Sequence, residues 1–196
     1  MPKKSAEAHR KLQQAALELF RERGYEQTTA AEIAAQAGVT ERTFFRHFAD
    51  KRDILFDREV SVQAALAEAI ASAPADLTPM QVLLLAFHGM EAIYEDNRSF
   101  SAPRQAIIAA TPALRERELT KMAAMIAVLA SALEQRGVDP KLSTLAAQVG
   151  TAAFTYALME WLDDTSSGLG AHLDRAFNQL VLLSSGFREQ WHETSG

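Results

Sequence analysis

Apolar residues recur three and four positions apart along nearly the whole chain and hardly ever alternate, so the pattern predicts helices and no strand. The first helix runs from about Ser5 to Arg23. Leu12, Ala15, Ala16, Leu19 and Phe20 lie on one face, Arg and Glu on the other, and Gly24 stops it. Thr29-Ala-Ala-Glu32 is a capping box opening a short helix through Ile33 and Ala34 to Ala37, which Gly38 ends at once. Thr40 caps a third helix, Glu41 to Phe48, with Phe44 and Phe48 one turn apart on its core side. Asp50-Lys-Arg-Asp53 starts a longer helix that reaches about Ser72.

The remainder continues in the same way. Pro79 follows the Thr78 cap and opens a helix whose apolar residues, Val82, Leu83, Phe87, Met90 and Tyr94, surround much of the axis, which predicts a central, buried element. A short broken helix spans about Pro103 to Ala110. Thr111-Pro112 opens a long one through Leu119, Met122, Ile126, Leu129 and Leu133 to Gly137. Asp139-Pro140 opens the next, with Leu142, Leu145, Val149, Ala152, Tyr156 and Met159. The last carries Leu173, Ala176, Leu180, Leu183 and Phe187. About nine helices and no internal repeat predict an all-α fold.

Composition narrows the class. The chain has 196 residues, 48% hydrophobic and 23% charged, which suits a folded core rather than a disordered segment. Without cysteine, disulfides, thiol nucleophiles, zinc ribbons and iron–sulfur clusters are excluded. The basic start MPKKSAEAHRKLQQ is followed by no apolar run, and no stretch is apolar enough to cross a membrane, so a cytoplasmic protein is expected. The net charge of −5 is unevenly spread. Residues 1–58 hold 11 Lys and Arg against 9 Asp and Glu, whereas residues 59–196 hold 9 against 16, so the head rather than the body suits an anionic partner.

The chemistry concentrates in TAAEIAAQAGVTERTFFRHFADKRDIL, Thr29 to Leu55. Two short helices meet at a turn containing Gly38, the helix-turn-helix arrangement. Phe44 and Phe48 point to the core, while Arg42, Thr43, Arg46 and His47 point outward with Phe45 beside them. A short helix with cations and a hydroxyl on its free face fits a major groove. Thr29, Ile33-Ala34, Ala37-Gly38-Val39, Thr40, Phe44-Phe45, Phe48, Lys51 and Leu55 together resemble the DNA-binding signature of the tetracycline-repressor (TetR) family of bacterial transcription regulators.

The resemblance implies a three-helix DNA-binding domain over residues 1–50 and a ligand-binding and dimerisation domain over 51–196, connected by the helix 51–72. It also implies a DNA-contacting set of Thr29, Thr40, Glu41, Arg42, Thr43, Phe45, Arg46, His47 and Lys51. His47 and Lys51 are expected on phosphates, His47 by the resemblance and Lys51 also because a cation in the first turn of a helix opposes the macrodipole unless a phosphate compensates it. Arg42 and Thr43 are expected on base edges, and Glu41 either accepts from a cytosine amino group or points to water. Two positions depart from the family pattern: it often has Gly where this chain has Arg42, and Tyr where it has Phe45, so Phe45 has no hydroxyl to offer a phosphate.

In the body, Phe87, Met90, Tyr94, Phe100, Met122, Met125 and Phe154 are candidates to line an apolar effector pocket, with Tyr94, His88 or Arg104 orienting the ligand. Core packing explains the same residues. His88, Glu91 and Glu95 share a stripe that reads as the polar edge of a pocket or as solvent-exposed. His88-x-x-Glu91 resembles half of a carboxylate-bridged metal site, and its second half is not expected. Ala146, Gly150, Ala153 and Ala157 form a small-residue stripe beside Trp161, Phe177, Leu180 and Val181, which predicts a homodimer through the helices 141–163 and 171–190.

The expected function is that of a ligand-responsive regulator, most simply a repressor, which a small hydrophobic molecule releases from a palindromic double-stranded operator. The expected partners are that DNA, that effector and a second copy of the chain, with no membrane, metal, cofactor or enzymatic activity. The alternatives are an all-helical di-metal enzyme and a small-molecule carrier with a vestigial head; HExxH and a phosphate-binding glycine loop are both missing.

Overall fold

The computed structural model describes residues 2–57, 59–164 and 166–193, with side chains described among these from Ser5 to Ser184; the Phe187 side chain lies outside them. Eleven helices follow one another and no strand occurs among the described residues: α1 (Pro2–Arg23), α2 (Ala30–Gln36), α3 (Glu41–His47), α4 (Asp53–Phe56), α5 (Glu59–Ser72), α6 (Pro79–His88), α7 (Glu91–Glu95), α8 (Arg98–Ala110), α9 (Pro112–Gln135), α10 (Pro140–Asp163) and α11 (Leu169–Glu193). The count exceeds nine because two expected helices are interrupted. The helix expected to reach Ser72 is split into α4 and α5, and at the split the Leu55 carbonyl accepts from the Arg104 Nε. The helix after Pro79 tightens at Met90, whose N–H donates to the Phe87 carbonyl three residues back at 3.0 Å, and resumes as α7. Helix α8 begins well before Pro103 and carries that proline inside it.

The chain forms two compact units, Met1–Val60 with Asn97–Lys121, and Ser61–Asp96 with Met122–Gly196. This cut differs from a division at residue 50, because the segment 97–121 packs with the N-terminal helices. In the first unit, Leu12, Ala16 and Phe20 of α1 pack with Ile33, Phe44, Phe48, Ile54, Leu55, Ile107, Ile108 and Leu114. In the second, α5, α6, the later part of α9, α10 and α11 bury Leu66, Ile70, Leu83, Phe87, Leu129, Leu133, Phe154, Trp161 and Leu173. The Phe87 and Phe154 rings stack at 4.6 Å between centroids, with Phe177 6.2 Å from Phe87, each pair adding about 0.5–1.5 kcal/mol beyond area burial.

The small-residue stripe of α10 faces inward, which corrects the reading of it as a dimer surface. Ala146, Gly150, Ala153 and Ala157 are all buried, and a Cβ on Gly150 would lie 2.7 Å from Leu83 Cδ1, so the glycine lets α6 approach closely. Trp161 and Phe177 are also core residues. The large apolar side chains left exposed on α10 are Leu142, Leu145 and Tyr156, and on α11 Val181, Leu182 and Leu183, the last two at 72%.

Candidate nucleic-acid interface

The helix-turn-helix is assembled from short-range bonds. Thr29 Oγ1 accepts from Glu32 N–H at 3.2 Å, and Glu32 Oε2 accepts from Thr29 N–H at 2.9 Å, completing the expected capping box of α2. At its other end, Gly38 N–H donates to Ala35 O and Val39 N–H to Ala34 O, at 3.1 and 3.0 Å, a Schellman closure. That closure requires a left-handed residue, and Gly38 supplies it at φ +68°. Val39 then packs against the first core, and Thr40 Oγ1 accepts from Thr43 N–H to start α3.

Helix α3 separates its faces. Phe44 and Phe48 are buried, while Glu41, Arg42, Phe45 and Arg46 are exposed, Phe45 at 52%. Thr43 is half-buried, its hydroxyl 3.0 Å from that of Thr40, and Thr29 and Thr40 are exposed at the two helix starts. An exposed aromatic ring between two guanidinium groups offers both charge and apolar contact to a polyanion.

His47 and Lys51, both expected on phosphates, are engaged within the chain itself. His47 Nε2 is buried with no hydrogen-bond partner among the described residues, and its ring meets that of His9 at 5.7 Å. Burial pushes its pKa below the usual histidine value, and the neighbouring His9 and Arg46 add to this. A half-buried ring that favours the neutral form is a poor phosphate ligand. His9 itself pairs with Asp57 at 2.9 Å. Lys51 lies in the turn before α4, not in its first turn, so the macrodipole argument falls away. Its Nζ donates to the carbonyls of Tyr25 and Thr28 at 2.8 and 2.9 Å, approaches that of Glu26 at 3.4 Å, and lies 4.3 Å from the Tyr25 ring centroid. The ammonium therefore staples the loop after α1. Burial, with Asp50 adding, pushes the Tyr25 hydroxyl up to about 12.

The candidate effector residues are divided between the units. Phe87, Met90, Met125 and Phe154 are buried in the second core, Tyr94 packs beside Phe154 at 5.5 Å, and Met122 is half-buried. Phe100 and Arg104 belong instead to the first unit, where Phe100 packs on the core and Arg104 pairs with Glu118 at 2.9 Å.

The stripe His88, Glu91, Glu95 forms a brace against α11 rather than a free surface. His88 Nδ1 bonds the Glu91 carboxylate, and Nε2 bonds Asp174 of α11 at 2.9 Å. Burial alone would lower the His88 pKa, but the two carboxylates outweigh it and raise it. Glu95 Oε1 accepts from Leu169 N–H at 3.2 Å, at the first turn of α11, where negative charge is favoured. A Cβ on Gly170 would lie 2.6 Å from Glu91 Oε2, so glycine leaves that carboxylate room. Asp174 is not legible in the sequence, because nothing local links it to a histidine 86 positions away. No group of three or more His, Asp or Glu side chains is arranged to hold a metal ion among the described residues, and no described helix is long and apolar enough to cross a membrane. The sequence does contain one Glu-x-x-His spacing, Glu189 to His192, whose side chains lie outside the described residues.

Comparison with known proteins agrees with this geometry. The family model described as "Bacterial regulatory proteins, tetR family" matches residues 12–57, and that described as "MftR C-terminal domain" matches residues 77–183. The chain is 40% identical over 75 residues to the HTH-type transcriptional regulator TcmR of Streptomyces glaucescens, a match spanning 38% of this chain and 33% of TcmR. It is 29% identical over 171 residues to the putative mycofactocin biosynthesis transcriptional regulator MftR of Mycobacterium tuberculosis, covering 83% of this chain and 84% of that one. In fold it is similar to the transcriptional regulator FadR of Bacillus subtilis, solved in complex with stearoyl-CoA, with a TM-score of 0.59 at 20% identity over 87% of this chain and 96% of FadR. With a capped, glycine-closed helix-turn-helix at its head and both family models matched, the chain belongs to the TetR family of DNA-binding transcription regulators.

Proposed function

We propose that the chain is a ligand-responsive repressor, a homodimer that holds a pseudo-palindromic operator until a small hydrophobic effector releases it. The observation that carries this reading is α3, with Phe44 and Phe48 anchored in the core and Arg42, Phe45 and Arg46 left on the opposite, exposed face. DNA binding is assigned to residues 1–50, with Arg42 and Thr43 on base edges and Thr29, Thr40, Glu41, Phe45 and Arg46 around them. His47 and Lys51 support that surface from behind it. Effector binding and dimerisation are assigned to residues 51–196, with α4 and α5 as the link.

The dimer is assigned to the exposed apolar side chains of α10 and α11, Leu142, Leu145, Tyr156, Val181, Leu182 and Leu183, since a patch of that kind calls for a partner. A largely hydrophobic effector agrees with the apolar candidates Phe87, Met90, Met122, Met125 and Phe154, with Tyr94 and His88 as polar neighbours. The stearoyl-CoA held by the FadR relative supports the same ligand class. Release follows as a population shift, the effector favouring a conformation whose two heads no longer match the half-site spacing.

Fluorescence anisotropy on a selected duplex and on its scrambled version tests the assignment. Arg42→Ala is expected to cost about 1–3 kcal/mol per half-site on the selected duplex and little on the scrambled one. Equal weakening on both would move Arg42 to the phosphates. Failure of the effector-free protein to bind any duplex at low salt would end the reading.

A further inference from the structure

At the end of α4 the first unit gathers more positive than negative charge around one aromatic ring. Arg104, Arg117 and Lys121 bring their cationic groups to 5.1, 5.3 and 6.0 Å from the centroid of the buried Phe56 ring. Two carboxylates answer these three cations. Glu118 accepts from Arg104 at 2.9 Å and from Lys121 at 2.8 Å, and Glu59 accepts from Arg117 at 2.9 Å. The Arg104 Nε also donates to the Leu55 carbonyl, where α4 breaks from α5.

Among the described residues these pairs leave one positive charge of the cluster in excess, and Arg104 and Lys121 are poorly hydrated. Arg117, at 35%, is the most accessible of the five charged side chains. Burial pushes the Lys121 ammonium down and Arg104 pushes it further, more than Glu118 and Glu59 restore. Glu118 feels the converse: burial would raise it, but Arg104 and Lys121 hold it below the usual carboxylate range. The face of Phe56 offsets part of the unbalanced charge, but a ring quadrupole is weaker than an anion. Arg117 bonds Glu59 through a single nitrogen, and the remaining donors of its guanidinium have no acceptor among the described residues.

We propose that this cluster is an anion site, which takes the carboxylate or phosphate of the effector against Arg117 with Lys121 and Arg104 behind it. The inference rests on the ligand-responsive reading above and gives it a mechanism. The same cations hold Glu59 at the head of α5 and the Leu55 carbonyl at the end of α4, so an entering anion competes with those contacts. It is then bound best by the arrangement in which the junction is loosened, which is the differential affinity that a population shift requires.

Calorimetric titration of the full-length protein with octanoate, octyl phosphate and octanol at matched ionic strength tests it. At least one of the two anions is expected to bind about tenfold or more tightly than octanol, the worth of one charge-assisted hydrogen bond. Preference for octanoate identifies a carboxylate source and preference for octyl phosphate a phosphate source. Arg117→Gln and Lys121→Gln should each reduce the preference, and Arg117→Lys should keep part of it, with circular dichroism verifying that each variant is folded. Equal affinity for the three probes, no binding of either anion, or a preference untouched in both glutamine variants would overturn the site. Operator release by octanol as effective as by the anions would overturn it too, while leaving the hydrophobic-effector reading standing. A loss of operator binding by the probe-free protein would instead break the regulator reading and leave the titration result intact.

Discussion

Helices α3 and α10 are both amphipathic, yet they expose opposite kinds of residue. Helix α3 buries two large rings and leaves arginines outside, whereas α10 buries alanines and a glycine and leaves leucines and a tyrosine outside. The exposed remainder is the informative part in each case: charge on α3 suits a phosphate backbone, and bulk without charge on α10 suits another protein surface. Small residues on a helix permit close approach, but they do not say whether the approaching helix belongs to the same chain. In α10 it does, because Gly150 sits against Leu83.

Substitutions that attack the two faces of α10 should give very different outcomes. The largest effect is expected from Gly150→Arg, which places a Cβ 2.7 Å from Leu83 Cδ1 and a charge in a dry core. Little folded protein should remain by circular dichroism; a folded, soluble monomer would return the stripe to the dimer surface. Leu145→Glu combined with Leu182→Glu acts on the exposed face instead. This variant is expected to keep its helicity and to halve the mass measured by light scattering, and an unchanged dimer would remove these residues from the interface.

A smaller effect is expected in the head. Lys51→Met leaves the Thr28 carbonyl without its donor and the Tyr25 carbonyl with only the Thr28 N–H, at a cost of about 1–3 kcal/mol, a melting temperature lower by several degrees. The salt dependence of DNA binding should stay the same. Removing a lysine that neutralises a phosphate would instead flatten the slope by about one per phosphate, and that result would return Lys51 to the DNA backbone.

The contrast between what is legible in the sequence and what is not follows sequence separation. Thr29, Gly38, Thr40, Phe44 and Phe48 act through partners a few residues away, so caps, turn and helix faces can be read from the pattern. Arg104 meets Leu55 across 49 positions and His88 meets Asp174 across 86, and no periodicity marks such pairs. The intrachain contacts of Lys51 escape the pattern for the same reason, its acceptors lying 23 to 26 residues earlier. The exposed stripe Leu142, Leu145, Tyr156 is present in the helical pattern, but the small-residue stripe beside it points to the wrong face.

The smallest effect concerns pH. Both ring nitrogens of His88 face carboxylates, so the protonated ring satisfies both and the neutral ring only one. Its pKa is raised in the folded chain, so the stabilisation is fully present below the unfolded value of about 6.5 and is lost as pH rises through the higher folded value. Between about pH 6 and pH 8 the wild type should lose on the order of 2 °C that His88→Gln does not lose. Parallel melting curves for the two proteins would remove the brace from the stability of the second unit.

The bond from Leu169 N–H to Glu95 has a kinetic consequence. A helix must first fix a turn before propagation becomes favourable, and the first N–H of α11, that of Leu169, finds its acceptor 74 positions earlier. Closing so long a loop carries an entropic cost that no local contact repays until the rest of the unit has formed. The front of α11 is therefore expected to form late in folding, so that Glu95→Gln should speed unfolding while leaving the refolding rate nearly unchanged in stopped-flow measurements.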